Sequence, residues 1–508
     1  MVCIPSKSIS TEEAYNRFCR AIFKAASTSV PRGFRPVYIP CLPDECTALI
    51  EEYAVSGDAD VAEHIIESLD AARQARWVET TEKLDFKRSS RQGWNLIRKL
   101  GAAEKPPPRK HSSVSPNEVA SHLLKVAKAP LDKATKRAAH DEWRQYLRQT
   151  TQSNDFTEFN EAELKKVLQD LKAGTAPGYD RIHPEFLAHL GSNAQRWLCN
   201  FYSRIIRGHS TPKLWREAKV IALPKPGKDP ELPSSYRPIS LLSVCFKVLE
   251  RLILNRICPI VEIALSPDQA GFRAHRSTTE QVTALVTYIE NGFQQKMKTG
   301  AVFIDLTAAY DTVWHVGLLT KIRKILPAWA VKAVYLFLQN RRFRVHMGDR
   351  VSSWRQQKNG LPQGSVLSPI LFNLYINDLP ATIGRKFIYA DDICIGHQSR
   401  SFGELEEALS SDVAAIADFC KKWRLTPSVT KTVSSIFHLD NKQARNQINI
   451  DMNGKRVAHD PYPVYLGVTL DRSLTFKHHA TKTAAKIKTR NNLLAKLAGT
   501  TWEPASRY

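Results

Sequence analysis

The sequence predicts an α+β fold, in which short strands ending on acidic residues sit among long amphipathic helices. Three stretches carry that prediction. Ala301-Val-Phe-Ile-Asp305 is an apolar run that stops at a carboxylate, the pattern of a buried strand meeting its end. Phe387-Ile-Tyr-Ala-Asp391-Asp392-Ile-Cys-Ile395 reads as a hairpin, with apolar arms flanking two Asp that favour a turn. Leu405, Leu409, Val413, Ile416 and Phe419 recur at helical spacing. They mark a long helix over 403–422 with an apolar face for a sheet.

A chain of 508 residues has room for roughly two to four domains. Apolar residues make up 43%, enough for a sizeable core. Lys and Arg number 73 against 50 acidic residues, a formal charge of +23. That excess is spread through amphipathic segments and points to a polyanionic partner, most simply nucleic acid. The first ten residues lack the apolar region of a signal peptide. No apolar run is long enough for a transmembrane span. Nine scattered Cys suit a reduced, intracellular protein. Cys41 and Cys46 are close, but no paired Cys or His follows at zinc spacing.

In order, residues 1–100 are helix-prone, with a proline-marked extended stretch at 31–43. Lys83, Lys87, Arg88, Arg91, Arg98 and Lys99 recur near Trp77, Phe86 and Trp94. This is either a nucleic-acid contact through charge and stacking or a solvated helix with an aromatic stripe. A proline-rich connector fills 101–116, centred near 105–116, and basic helix returns over 117–150. Asn160, with Glu163 three residues on, starts a helix. A glycine-proline loop ending at Asp180 follows. One helical stretch is then expected from His183 through Trp197, Phe201 and Ile205. Lys219 to Leu223 form a strand running into a turn, where Lys225, Gly227, Lys228 and Arg237 cluster. Several cations on a hairpin suit phosphate binding. An apolar helix spans 244–263. A basic loop, Gln269-Ala-Gly-Phe-Arg, leads into a helix capped by Ser277 or Thr278 and ending near Gln295.

Asp305 then arrives at a strand end, well placed for a metal ligand. Helix is expected over 315–338, and a β-like stretch over 341–346. Asn359-Gly-Leu-Pro-Gln363-Gly364-Ser is a tight loop that exposes its backbone, so a nucleotide can approach it closely. Ser368 should cap the next helix, with Pro369 at its first position. After the Asp391-Asp392 hairpin and its helix come a strand near 435–439, further hairpins to about 471, and a basic helix over 475–497.

Taken together, these pieces resemble a reverse transcriptase, in particular the polymerase of non-long-terminal-repeat retrotransposons of the LINE group, jockey-like members above all. The matching stretches are Leu223-Pro-Lys-Pro-Gly-Lys, Tyr236-Arg-Pro-Ile-Ser-Leu-Leu, Gln269-Ala-Gly-Phe-Arg, Phe303-Ile-Asp-Leu with Ala309-Tyr-Asp, Gly360-Leu-Pro-Gln-Gly-Ser and Tyr389-Ala-Asp-Asp. Trp423-Arg-Leu, Lys431-Thr and Tyr465-Leu-Gly-Val complete the series, which covers roughly 155–500. The specificity lies in the joint order, since no single motif decides it.

The resemblance implies a right-hand polymerase with a mainly helical N-terminal extension over 1–150, fingers over 151–300, palm over 301–470 and the start of a truncated thumb over 471–508. It implies that Asp305, Asp391 and Asp392 bind two Mg²⁺ ions, with Mn²⁺ as an alternative. The reaction would be transfer of a deoxynucleotide to a primer 3′-hydroxyl on an RNA template. Tyr310 would exclude a ribose 2′-hydroxyl. Gln363 and Gly364 would meet the incoming nucleotide, and Lys225 and Arg237 the template or triphosphate. Lys431 would lie near the leaving group, as general acid or as support. Asp311 is expected to be structural, a cap or an Arg partner, and Asp180 a loop former. By family likeness the protein would work in the cytoplasm and nucleus, away from membranes. With no endonuclease, ribonuclease H constellation or Cys/His knuckle in view, the chain reads as a fragment or decayed copy. Three rivals remain: a silent nucleic-acid-binding remnant, an intron-type maturase, and an RNA-dependent RNA polymerase.

Overall fold

The computed structural model describes residues 9–30, 42–43, 45–82, 113–128, 132–150, 155–225 and 227–497. The chain divides into two compact units, residues 1–26 with 112–483 and residues 27–111 with 484–508. The second unit holds the helices Glu45–Ser56 and Ala59–Glu82. Cys41, the basic aromatic run 83–99, most of the 101–116 connector and the C-terminal residues 501–508 lie outside the described residues. None of the described helices is long and apolar enough to cross a membrane.

The first unit is α+β, with two five-stranded sheets. The outer sheet joins β1 (Glu217–Pro224), β2 (Tyr236–Leu241), β4 (Arg341–Met347), β5 (Arg350–Val351) and β6 (Arg355–Gln357). β1 and β2 form an antiparallel hairpin, in register from Lys219↔Leu241 to Pro224↔Tyr236, and β1 runs parallel to β4. The central sheet contains β3 (Lys298–Ile304), β7 (Arg385–Tyr389), β8 (Asp392–Ser399) and β9 (Val433–Phe437). The two-residue strand Ala458–His459 extends its β9 edge.

In the central sheet β3 lies between β8 and β9, antiparallel to both. Both faces of β3 are covered, which explains why it reads as a continuous apolar run and not as an alternation. Val302 and Ile304 pack in the larger core with Leu405, Leu409, Val413 and Ile416 of the helix Phe402–Lys422. Ala301 and Phe303 turn the other way, toward Leu285 and Ile289 of the helix Thr278–Gln294. Each fully buried Leu or Ile contributes about 2 kcal/mol, so the register of β3 is strongly held. That register sets where Asp305 emerges.

Local signals explain several helix starts. Asn160 accepts from Glu163 N–H at 2.9 Å and Glu163 reaches back to Asn160 N–H, a full capping box. Ser277 caps the helix Thr278–Gln294. Three expectations need correction. The stretch from 183 is two helices, Pro184–Ala188 and Ser192–Gly208, parted at Gly191. The stretch 315–338 is also two, His315–Ile322 and Ala328–Leu338, because Pro327 cannot continue a helix and instead begins the second. Ser368 does not cap its helix. Its hydroxyl donates to Pro362 O at 3.0 Å, while Ser365 Oγ accepts from the N–H groups of Leu367 and Ser368 at 3.2 and 3.3 Å.

Asp180 is the loop former that the sequence suggested, and more. It is buried, accepts from Tyr15 O–H at 2.6 Å and takes Ile182 N–H at 3.4 Å. Burial pushes its carboxyl up. Tyr15 in turn packs against Phe201 and Trp215, tying the helix Thr11–Ser29 into the same core.

Candidate active site

The site grows from the end of the central sheet. Asp305 follows β3, and Asp392 opens β8 one step beyond the Ile304↔Ile393 pair. Ala390 and Asp391 form the two-residue turn between Tyr389 and Asp392, which are paired. By strand alternation Asp392 shares a face with Cys394, and Asp305 with Phe303, both in the smaller core cluster. The two carboxylates therefore leave the sheet on the same side.

Their charges meet. Asp391 is pushed up first by burial and then by Asp305. Asp392 has a solvent-exposed edge, yet loss of hydration on the sheet side, then Asp391 and Asp305, push it up to about 6. Mutual repulsion of this kind is what a bound cation relieves. Lys431 already places a cation here: its Nζ lies 3.1 Å from Asp305 Oδ2. The donor set is all carboxylate oxygen, which suits a hard divalent ion. Among the described residues, however, no three Asp, Glu, His or Cys side chains converge as a ready-made ion cage.

Tyr310 sits beside them. Its ring stacks on Phe372, centroids 4.7 Å apart, and meets the edge of Phe272 at 6.5 Å. Burial and then the charge of Asp391 push its phenol up. The hydroxyl is buried and finds no hydrogen-bond partner among the described residues. Among the described residues Asp311 is neither cap nor Arg partner. It lies inside the helical turn Ala309–Thr312, which has no side-chain cap; burial pushes Asp311 up to about 6, and the charge that opposes this is Lys225.

The hairpin cations gather as expected. Lys225 is pushed down by burial first and then by Lys431, Arg237 and Lys228. Four positive side chains from two parts of the chain thus share one neighbourhood, with Asp311 as counter-charge. Lys225 Nζ itself donates to Ser234 O at 2.8 Å.

The glycine loop packs closely on neighbouring backbone. A side chain at Gly360, at φ 82°, would lie 2.6 Å from Asp311 O, and one at Gly364, at φ 128°, 2.4 Å from Ser240 O. Protein backbone makes the close approach on those sides. Gln363 O accepts from Ser240 N–H at 2.8 Å, which lays the loop along β2. His315 shares Gly360 O through Nε2 at 2.8 Å.

Burial pushes His315 down to about 4, with the Gly360 contact opposing. Because its folded pKa lies below the unfolded value, protonation favours the unfolded chain. Stability is therefore expected to fall as pH drops from about 6.5 toward about 4, by up to about 1.4 kcal/mol per pH unit. His315→Gln should flatten this slope. Urea unfolding of both proteins across that window checks it, and identical slopes would remove His315 from the explanation.

Sequence reasoning missed the brace beneath the Asp-Asp turn. Ala390 has φ 57°, costly for a residue with a Cβ. Gln269 Oε1 accepts from Ala390 N–H at 2.8 Å and from Gly271 N–H at 2.7 Å, while Nε2 donates to Ala390 O at 3.3 Å. Asn373, fully buried, donates to Gly271 O at 2.7 Å. The only hint in the sequence was an amide residue and a glycine two positions apart in a loop.

A sheet end presenting carboxylates beside an aromatic ring, a glycine loop and a group of basic side chains is chemistry suited to phosphoryl transfer. The family described as Reverse transcriptase (RNA-dependent DNA polymerase) matches residues 223–470, and this part of the chain belongs to it. Within that family its kinship is with the non-LTR, jockey-like retrotransposon polymerases. It is 36% identical over 335 residues to the probable RNA-directed DNA polymerase from transposon BS of Drosophila melanogaster, covering 64% of this chain and 37% of that protein. To the corresponding probable polymerase of transposon X-element from the same fly it is 33% identical, over 69% of this chain and 38% of the other. To the RNA-directed DNA polymerase from mobile element jockey of Drosophila melanogaster it is 27% identical over 95% of this chain and 57% of that protein. The chain thus spans well under two thirds of the length of each of these relatives.

Proposed function

We propose that this chain is an RNA-directed DNA polymerase, adding deoxynucleotides to a primer 3′-hydroxyl on an RNA template for retrotransposition. The observation that carries this reading is the electrostatic meeting of Asp305, Asp391 and Asp392 at one end of the central sheet. In right-hand terms the central sheet is the palm and the β1–β2 sheet the fingers. The basic helix Lys477–Leu497 begins the thumb.

Asp305, Asp391 and Asp392 would hold two Mg²⁺ or Mn²⁺ ions. Bound there, the ions supply Lewis-acid activation of the 3′-hydroxyl and charge stabilisation at the transferring phosphoryl group. The protein's own groups do the rest. Lys225, Lys228 and Arg237 offer positive charge to triphosphate or template. Tyr310, clamped on Phe372, presents a flat wall to the sugar. Gln363 and Gly364, in the loop whose Leu361 N–H donates to Tyr310 O at 2.8 Å, would meet the incoming nucleotide. Lys431 would lie near the leaving group, as general acid or as support.

Primer extension on poly(rA)/oligo(dT) with Mg²⁺ or Mn²⁺ tests the reading. Templated incorporation of dTTP, lost when the metal is chelated, is the expected result. Soluble, folded protein that extends no primer under either metal overturns it. That outcome would favour the second reading, a polymerase-derived nucleic-acid binder. One observation speaks for it: Lys431 pairs with Asp305, so a side-chain cation already offsets one of the three carboxylates.

Tyr310 gives a sharper expectation. Tyr310→Val should raise incorporation of ribonucleotides relative to deoxynucleotides by about tenfold or more, since the wall against the 2′-hydroxyl is gone. Tyr310→Phe should keep the discrimination. It should also leave thermal stability unchanged or raise it by about 1 kcal/mol, because the hydroxyl removed is buried without a partner. Competition between rUTP and dTTP, with melting curves, decides both.

A further inference from the structure

Two charged side chains that the proposed chemistry does not use are buried behind the glycine loop. Glu250 lies on the helix Val244–Ala264 and Arg341 begins β4, and each is 2% exposed. Burying charge costs several kcal/mol unless its partners are well placed, and here the partners are in the loop. Ser365 O–H donates to Glu250 Oε1, and Val366 N–H donates to Oε2 at 3.1 Å. Ser365 Oγ also starts the helix Ser368–Ile376, as described above. One carboxylate therefore closes the turn that follows Gln363 and Gly364.

Arg341 faces the same place. Its Nη1 donates to Phe337 O at 3.2 Å, and its guanidinium lies 5.9 Å from the Phe246 ring centre. Nε and Nη2 have no hydrogen-bond partner among the described residues. Glu250 and Arg341 line one small cavity of about 20 Å³ together with Leu361, Pro362, Ser365 and Ser368. That is room for a single water, which would accept from the two open donors. Leu361 and Pro362 precede Gln363 and Ser365 follows it, so residues on both sides of Gln363 line this cavity with the buried pair.

We propose that Glu250 and Arg341 are positioning residues that hold the 361–366 loop so that Gln363 faces the incoming nucleotide. The proposal rests on the polymerase reading for its consequence, but not for its geometry. Loosening the loop weakens nucleotide binding in ground and transition states alike, so KM rises while kcat changes little.

The test uses the full chain carrying Glu250→Gln, Arg341→Met or the milder Ser365→Ala. Hydrogen–deuterium exchange is read on peptides covering 360–368 and 387–395, and KM for dTTP is read on poly(rA)/oligo(dT). Each variant is expected to speed exchange in 360–368 alone. Glu250→Gln should raise KM for dTTP by about tenfold, the worth of a charged hydrogen bond. Unchanged exchange in the loop, or equal acceleration in both peptides, overturns the proposal. A wild-type chain that incorporates no dTTP defeats the polymerase reading, and the exchange comparison still decides the positioning role.

Discussion

Asp391→Asn is expected to lower templated dTTP incorporation by about 10³-fold or more, the scale of losing several kcal/mol of charge stabilisation. The same change should not harm the fold. Asp391 occupies a turn, and its carboxyl is pushed up by burial and by the charge of Asp305. Removing that charge relieves a repulsion, so in EDTA the variant should melt at or above the wild-type temperature. Adding Mg²⁺ should raise the melting temperature of the wild type and do less for Asp391→Asn, because binding to the folded state alone stabilises it. Activity and stability thus move in opposite directions, which general misfolding cannot produce. A variant that keeps most of its incorporation, or that loses activity only by melting early, would sink the assignment of Asp391 to the reacting centre.

Gly271→Ala is expected to be severe without touching a reacting group. An added Cβ would lie 2.3 Å from Ala390 N and 2.9 Å from Ala390 Cα. The backbone there cannot yield easily. Ala390 is already in the left-handed region, and Gln269 holds both its N–H and its C=O. The overpacking should cost about 3 kcal/mol. Moving the Asp391–Asp392 turn by as little as about 1 Å should cut incorporation by about 100-fold. Gly174 supplies the contrast. It has φ 71° but open space where a Cβ would go. Gly174→Ala should therefore cost only about 1 kcal/mol of backbone strain and leave incorporation unchanged. Differential melting and primer extension on the two variants check this. Equal behaviour of the pair would show that the hairpin is not braced from the 269–273 loop.

Much of this was legible from residue order. The capping box at Asn160, the apolar run into Asp305, the hairpin around Asp391 and the helix over 402–422 all follow from short-range patterns. The family kinship likewise follows from motifs in sequence order. Less legible were the breaks at Gly191 and Pro327, where apolar periodicity runs across a local stop signal and masks it. Least legible were Gln269, Asn373, Glu250 and Arg341. A polar residue in a helix, strand or loop looks solvent-facing until its partner is known. These partners lie 121, 102, 115 and 4 residues away along the chain. Arg341 shows that even a local partner does not reveal burial.

The sequence by itself determined which chemical groups stand at the ends of strands, because strands end where apolar runs end. It also determined the turn glycines Gly174, Gly227, Gly454 and Gly467, where a positive φ and open space are the local demand. Tertiary structure alone decided that Asp305, Asp391 and Asp392 share one electrostatic neighbourhood. It also decided that Lys431 pairs with Asp305, and that the glycines of the 360–364 loop face Asp311 and Ser240 backbone. Those outcomes depend on the register of β3 against β8 and on packing between segments far apart in the chain. Such contacts are selected by burial over the whole core, and no window of neighbouring residues contains them.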